Sequence, residues 1–150
     1  MSDLQTNTLE TFNEKQLQKL LVNRLKKDGH TVIQQCIDDP NKFSDIRQCK
    51  THSIFGIDIV AQKEKQLRII EVKSQPKGGI ASSSTIFMAG IGQILTRVTQ
   101  ISENIHYSLA IPNTATFAPS VRKFFGSPAL NMINLSIILI LEDGSYELFR

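Results

Sequence analysis

The chain has 150 residues, 41% of them hydrophobic, which matches one domain with one hydrophobic core. The formal net charge of +3 is compatible with a polyanionic partner without requiring one. Cys36 and Cys49 form no CxxC pair, and with His52 they leave a zinc ligand set incomplete, so neither a disulfide framework nor a structural zinc is indicated.

The N-terminal sequence lacks the basic segment and the following apolar segment of a signal peptide. No apolar run approaches the roughly 20 residues of a membrane helix. We therefore expect a soluble cytoplasmic protein that has no contact with a membrane.

Residues 1–10 are polar, and we expect a flexible N-terminus followed by a single domain over residues 11–150. Leucines at four-residue spacing from Leu17 to Leu25 predict a first helix. It is expected to begin near residue 11 and to end at Asp28-Gly29. HTVIQQCID then predicts a first strand, and a polar loop follows it.

The central part of the chain predicts a hairpin followed by a helix. FGIDIVAQ and QLRIIEVKS read as two strands joined by the charged turn KEK. QPKGGIASSS is rich in glycine and serine and predicts a flexible loop. A second helix is expected from about residue 85 to residue 100.

The last third of the chain predicts three more strands and one short helix. IHYSLAIP reads as a strand, APSVRKFFG as a helix, and the apolar run INLSIILILE as a strand covered on both faces. Asp143-Gly144 then turns the chain into the edge strand SYELF. Helices interspersed with apolar strands predict an α/β sandwich around a mixed central sheet.

Three charged residues lie within the predicted hairpin, where burial makes charge costly. If the turn is centred on Glu64 and Lys65, antiparallel partners have numbers that sum to 129, and Asp58 faces Glu71. Their Cβ atoms are then about 4.5 to 5.5 Å apart on one face. Lys73 follows Glu71 by two residues and returns to that face, so the three charges converge.

Two opposed carboxylates are unfavourable unless a cation lies between them. Mg²⁺ or Mn²⁺ accepts one or two carboxylates and keeps several waters. Such an ion polarises a phosphoryl oxygen and lowers the pKa of a bound water, and a lysine beside it offsets negative charge. The alternative is a surface charge triad in which Lys73 simply neutralises Asp58 and Glu71.

GIDIVA followed by IIEVKS resembles the active-site signature of the PD-(D/E)XK nuclease superfamily, with Gly56-Ile57 in place of the proline. The resemblance implies a restriction endonuclease-like α/β/α sandwich with an αβββαβ core plus a C-terminal helix and strands. It places Asp58, Glu71 and Lys73 on the catalytic positions, with Asp58 and Glu71 as metal ligands. The later segments GQILTR, YSLAIP and KFFG are also similar to cyanobacterial excision-control factors.

The resemblance implies a Mg²⁺-dependent deoxyribonuclease. We expect a homodimer, because cutting both strands of a duplex or junction needs two sites. The alternative is a catalytically inactive DNA-binding or recombination accessory protein on the same fold.

The same resemblance suggests two further catalytic residues, each with an ordinary structural explanation. Glu14 extends the buried stripe of the first helix and suits the first-helix glutamate of the superfamily. It also has capping-box spacing from Thr11. Gln93 suits a glutamine on the helix after the ExK strand, where it orients a water or touches a phosphate, or else it is a polar boundary residue.

Several basic residues are candidate nucleic-acid contacts of low specificity. Lys77 beside Gly78-Gly79 belongs either to a loop that closes over nucleic acid or to a plain connector. Arg97, and with it the pair Arg122 and Lys123, suits phosphate binding. The histidines show no partner at ligand or nucleophile spacing, and we interpret them as structural or surface residues: His30, His52 and His106.

Overall fold

The computed structural model describes residues 8–35, 57–98, 100–124 and 127–149, and a six-stranded sheet organises them. The strands are β1 (Thr31–Gln35), β2 (Ile59–Lys63), β3 (Gln66–Val72), β4 (Ile105–Pro112), β5 (Leu135–Ile140) and β6 (Tyr146–Phe149), and neighbours in sequence are neighbours in the sheet. The helices are a 3₁₀ turn (Thr8–Thr11), α1 (Glu14–Lys27), α2 (Gly79–Arg97), α3 (Ala118–Phe124) and α4 (Pro128–Met132).

The sheet is mixed, as the sequence predicts. Strands β1, β2 and β3 pair antiparallel, β3, β4 and β5 pair parallel, and β6 returns antiparallel at the edge. Parallel neighbours need a crossover, which α2 provides between β3 and β4. The α/β class and the mixed sheet are therefore confirmed.

Helices cover both faces of the sheet. Side chains alternate along each strand, so each strand presents apolar residues to both faces. One core lies between the sheet and α1, and it is built from the α1 leucines and residues such as Ile70 and Val72. The other lies between the sheet and α2 with α3, around Phe87 and Tyr107. We call these the α1 face and the α2 face. Strand β5 is buried along its whole length, as its apolar run predicts.

Helix α2 begins at Gly79, six residues before its predicted start. The serines expected in a loop are helical, because tertiary contacts outweigh their loop preference. Ser83 is fully buried and its Oγ donates a hydrogen bond to Thr116 Oγ1 at 2.9 Å. The predicted flexible loop is thereby reduced to the residues that precede Gly79.

The first helix also begins differently from the prediction. Helix α1 starts at Glu14, and its capping box joins Asn13 and Gln16 rather than Thr11 and Glu14. Asn13 Oδ1 accepts from the Gln16 N–H at 2.9 Å, while Gln16 Oε1 accepts from the Asn13 N–H at 2.8 Å. Leu9 is fully buried, so the packed part of the chain reaches back past the predicted boundary at residue 11.

One further difference concerns α4, and several predicted features lie outside the described ranges. Helix α4 has only five residues, too few to create a helical periodicity, and the sequence did not predict it. Cys36, Cys49 and His52 lie outside the described residues, as does the polar loop predicted between β1 and β2.

Helix α2 is, within the ranges given above, the one helix long and apolar enough to cross a membrane by length and composition alone. The prediction that no segment approaches a membrane span was therefore too strong. The glycine, alanine and serine residues of α2 interrupt its apolar run, but the mean hydropathy of the helix remains apolar. The same composition suits a helix that packs on a sheet, and Phe87, Ile91 and Ile94 pack there.

Candidate metal centre

The hairpin of β2 and β3 has the predicted register. Ile59 pairs with Ile70 and Lys63 with Gln66, so partner numbers sum to 129. Glu64 and Lys65 form the turn, and Glu64 takes a positive φ of 54°. The register therefore carries Asp58 toward Glu71 at the end of the ladder.

Asp58 itself lies one residue before β2, not within the strand as predicted. Its Oδ2 accepts a hydrogen bond from the Val72 N–H at 2.7 Å. The last pair of the β2–β3 ladder is Ile59 with Ile70, so this carboxylate bonds the backbone of β3 two residues beyond that pair. Asp58 consequently has a fixed position at the end of the hairpin.

Glu71 and Lys73 form a close ion pair beside it. Glu71 is only 6% exposed, and its Oε1 lies 3.3 Å from Lys73 Nζ. The same Nζ lies 3.9 Å from Glu14 Oε1. The first residue of α1 thus reaches the end of β3, as the buried-stripe interpretation of Glu14 predicted.

The electrostatics of the site favour bound positive charge. Burial, reinforced by the charge of Asp58, raises the pKa of Glu71 to about 7, although Lys73 opposes the shift. Burial also raises the pKa of Asp58, against the stabilising hydrogen bond from Val72. The ammonium of Lys73 therefore leaves these two carboxylates short of positive charge.

Helix α2 packs closely against this site at Gly90. A Cβ on Gly90 would lie 2.6 Å from Leu109 Cδ1 and 3.2 Å from Lys73 Cγ. Only glycine, which has no side chain, allows the α2 backbone to pack this closely against Lys73. Gly90 therefore helps to hold the Lys73 side chain in place.

Arg97, two turns further along the same face of α2, contributes a second cation. Helical side chains tilt toward the helix N-terminus, which directs this arginine back toward the level of Gly90. Its charge lowers the pKa of both Asp58 and Glu71. Its Nε is buried without a hydrogen-bond partner.

The remaining predicted site residues lie outside the cluster of Asp58, Glu71 and Lys73. Gln93 and Lys77 are exposed, and no hydrogen bond or ion pair within the described ranges links either side chain to the carboxylates. Arg122 and Lys123 are exposed on α3. Gln75 was not predicted, yet its Oε1 is buried without a partner just beyond Lys73, and no sequence signal marked it.

The donor set suits a hard divalent cation that keeps most of its waters. No cluster of three metal-ligating side chains occurs in the part of the chain that the structure describes. Mg²⁺ commonly takes one or two carboxylates and fills its other positions with water and substrate oxygens. Asp58 and Glu71 supply that number of carboxylates, and a bound cation would offset the cost of burying their charges.

Comparison with protein-family models gives no match, and neither does comparison with curated proteins. The solved structures that are similar include two with descriptions that bear on the fold. An FdxN element excision controlling factor protein from Anabaena variabilis is 20% identical, with a TM-score of 0.54 over 86% of this chain and 93% of that one. An XisH family protein from Nostoc punctiforme is 19% identical, with a TM-score of 0.56 over 91% of this chain and 98% of that one.

At these identities the likeness is one of fold. It extends over nearly the full length of both solved chains, so the helices and the mixed sheet form a shared architecture. The fold is therefore that of the excision controlling factor and XisH structures, which agrees with the resemblance noted in the later segments.

Proposed function

We propose that the protein is a metal-dependent endonuclease that hydrolyses DNA phosphodiester bonds, on a restriction endonuclease-like α/β/α sandwich. One observation carries the proposal: Asp58, Glu71 and Lys73 converge at the end of the β2–β3 hairpin, with Glu71 buried, Asp58 half-buried and Lys73 Nζ 3.3 Å from Glu71. Buried acids of raised pKa beside a lysine are typical of catalytic sites.

In this proposal Asp58 and Glu71 hold Mg²⁺ or Mn²⁺, which supplies a bound water of lowered pKa and neutralises charge on the phosphate. Lys73 offsets negative charge beside the attacked phosphorus. Glu14 positions Lys73 by sharing its ammonium with Glu71.

Residues of α2 and the segment before it complete the proposed site. The buried Nε–H of Arg97 has no partner and is suited to donate to a phosphate oxygen. Gln93 is exposed on the same helix, where it can orient a water, and Lys77 contacts the DNA backbone. The proposed enzyme is a cytoplasmic homodimer, since two cleaved strands need two sites.

The similar solved structures support a recombination-related role. One of them is described as an FdxN element excision controlling factor. A nuclease with a restricted DNA target suits such a process, because excision requires cleavage at defined places.

The test is cleavage of end-labelled duplex, flap and four-way-junction DNA with Mg²⁺ or Mn²⁺. The wild-type protein is expected to cut at least one substrate, and Asp58→Asn is expected to cut none. Asparagine keeps an oxygen for the Val72 N–H but removes the charge, so loss of cleavage reports on the metal site rather than on the fold. Identical products from both proteins would contradict the proposal.

A second candidate is a DNA-binding accessory protein without catalysis. The description of a similar structure as a controlling factor, not as an enzyme, favours it. It predicts salt-sensitive DNA binding by wild type and by Asp58→Asn alike, with no cleavage by either. Cleavage by the wild-type protein would remove this candidate.

A further inference from the structure

A second polar site lies at the other end of the β2–β3 hairpin, on the α1 face. A cavity of about 460 Å³ opens there. Basic side chains from four parts of the chain line it: His30, Lys63, Arg68 and His106. Glu64 and Glu103, both exposed, also line it.

The sheet brings three of these basic residues together. Arg68 of β3 pairs directly with His106 of β4 in the parallel ladder. Ala61 of β2 pairs with Arg68 on the other side, and Lys63 follows two residues later on the same face. The register therefore places these three side chains next to one another on one face of the sheet.

Contacts to the surrounding protein hold these side chains in place. Arg68 Nη1 donates to the buried Ser108 Oγ at 3.2 Å, and Lys63 Nζ donates to the Asp28 carbonyl oxygen at 2.7 Å. The His106 ring is hydrogen-bonded to Gln66 Oε1. An ammonium group has three N–H donors, so the bond to the Asp28 carbonyl oxygen does not exhaust Lys63.

His30 is arranged to respond to an anion. Its Nδ1 lies 3.2 Å from the Leu25 carbonyl oxygen, which can only accept, so Nδ1 carries a proton and Nε2 can take up another. Burial lowers the pKa of His30, and the charges of Arg68 and Lys63 lower it further, against the opposing charge of Asp28. Arrival of an anion would relieve this repulsion and add a fourth donor group.

We infer that this cavity binds a phosphate monoester, held by Lys63 and Arg68 and by the imidazoles of His30 and His106. Two full positive charges and two protonatable rings match a dianion better than the single charge of a backbone phosphodiester. Arginine gives the bidentate geometry that phosphate oxygens accept.

The inference is independent of the proposed nuclease site. Arg68 and Glu71 are three residues apart on β3, roughly 10 Å, and their side chains lie on opposite faces of the sheet. Loss of one site is therefore expected to leave the other intact.

The test is titration of ¹⁵N-labelled protein with inorganic phosphate, followed by amide chemical shifts. Saturable shifts are expected around residues 30, 63, 68 and 106. Arg68→Gln and Lys63→Gln are each expected to weaken binding by roughly fivefold or more. Lys65→Gln is the matched control, since it removes the same charge from the same hairpin outside the cavity, and it is expected to bind as wild type does.

Three further ligands distinguish the source of the phosphate: a nucleoside 5′-monophosphate, a 5′-phosphorylated oligonucleotide and its unphosphorylated twin. Binding of the phosphorylated oligonucleotide as well as the monophosphate assigns the site to a nucleic-acid end. Binding of the monophosphate alone assigns it to a free metabolite. Equal binding of the unphosphorylated oligonucleotide would overturn the monoester assignment.

Sulfate tests the role of His30, because it stays a dianion across the pH range in which histidine titrates. Sulfate is expected to bind more tightly as pH falls from about 7.5 to about 5.5, and His30→Gln is expected to flatten this dependence. If chloride at equal ionic strength produced the same amide chemical shifts, the inference would be overturned. Anion binding by Arg68→Gln with wild-type affinity would overturn it too.

Discussion

Glu71 affects both the stability of the fold and the proposed metal binding. It is buried next to a second carboxylate, and its pKa is raised to about 7 from its ordinary value of 4.5. The folded chain therefore holds a proton that the unfolded chain releases near its ordinary pKa. The free energy of unfolding falls as pH rises between these two values, because the charged form is disfavoured only in the fold.

Glu71→Gln removes this penalty while keeping the shape of the side chain. Relative to wild type, the variant is expected to gain roughly 1 to 3 kcal/mol of stability on going from about pH 5 to about pH 8. Urea denaturation in EDTA at both pH values measures the difference. Glu147→Gln alters an exposed carboxylate and serves as the control, and an equal pH response in both variants would contradict the assignment.

Asp58 has a structural task in addition to its proposed metal ligation. Asp58→Ala leaves the Val72 N–H without its acceptor and is expected to cost about 1 to 3 kcal/mol in unfolding free energy. Asp58→Asn keeps an acceptor oxygen and is expected to cost much less. Equal losses in the two variants, measured by denaturation, would mean that the hydrogen bond has no such role.

At the scale of elements, close packing of α2 on the sheet shapes the candidate site. Gly90→Ala places a methyl group 2.6 Å from Leu109 Cδ1, and we expect a loss of about 1 to 3 kcal/mol despite the better helix propensity of alanine. Gly92→Ala, on the same helix, meets nothing within 4 Å and is expected to gain about 0.5 to 1 kcal/mol. Thermal unfolding of the two variants gives opposite signs if this packing is correct.

The sequence predicted the hairpin register because turn position and strand period together determine which residues face each other. It could not predict that the ladder stops at Ile59, so that Asp58 bonds Val72 through its side chain. It also missed the start of α2, because the local preference of serine for loops gives no sign of the contact from Ser83 to Thr116. Tertiary contacts of this kind leave no periodic signal.

At the scale of the molecule, the β2–β3 hairpin separates two sites of opposite charge. The acidic end carries Asp58 and Glu71 on the α2 face, and the basic end carries Lys63 and Arg68 on the α1 face. The sequence predicted the acidic site from three residues in one hairpin. The basic site joins residues of this hairpin to His30 and His106 from two distant segments, so only the fold brings its members together.

Calorimetric titration with Mn²⁺ tests the metal site most directly. Wild type is expected to bind one Mn²⁺ per chain, with an affinity that rises about tenfold from pH 6 to pH 8, because Glu71 must lose its proton to bind a cation. Asp58→Asn is expected to abolish this binding, and Lys65→Gln is expected to leave it unchanged. Absence of saturable Mn²⁺ binding by the wild-type protein, even with DNA present, or equal binding by Asp58→Asn, would contradict the account.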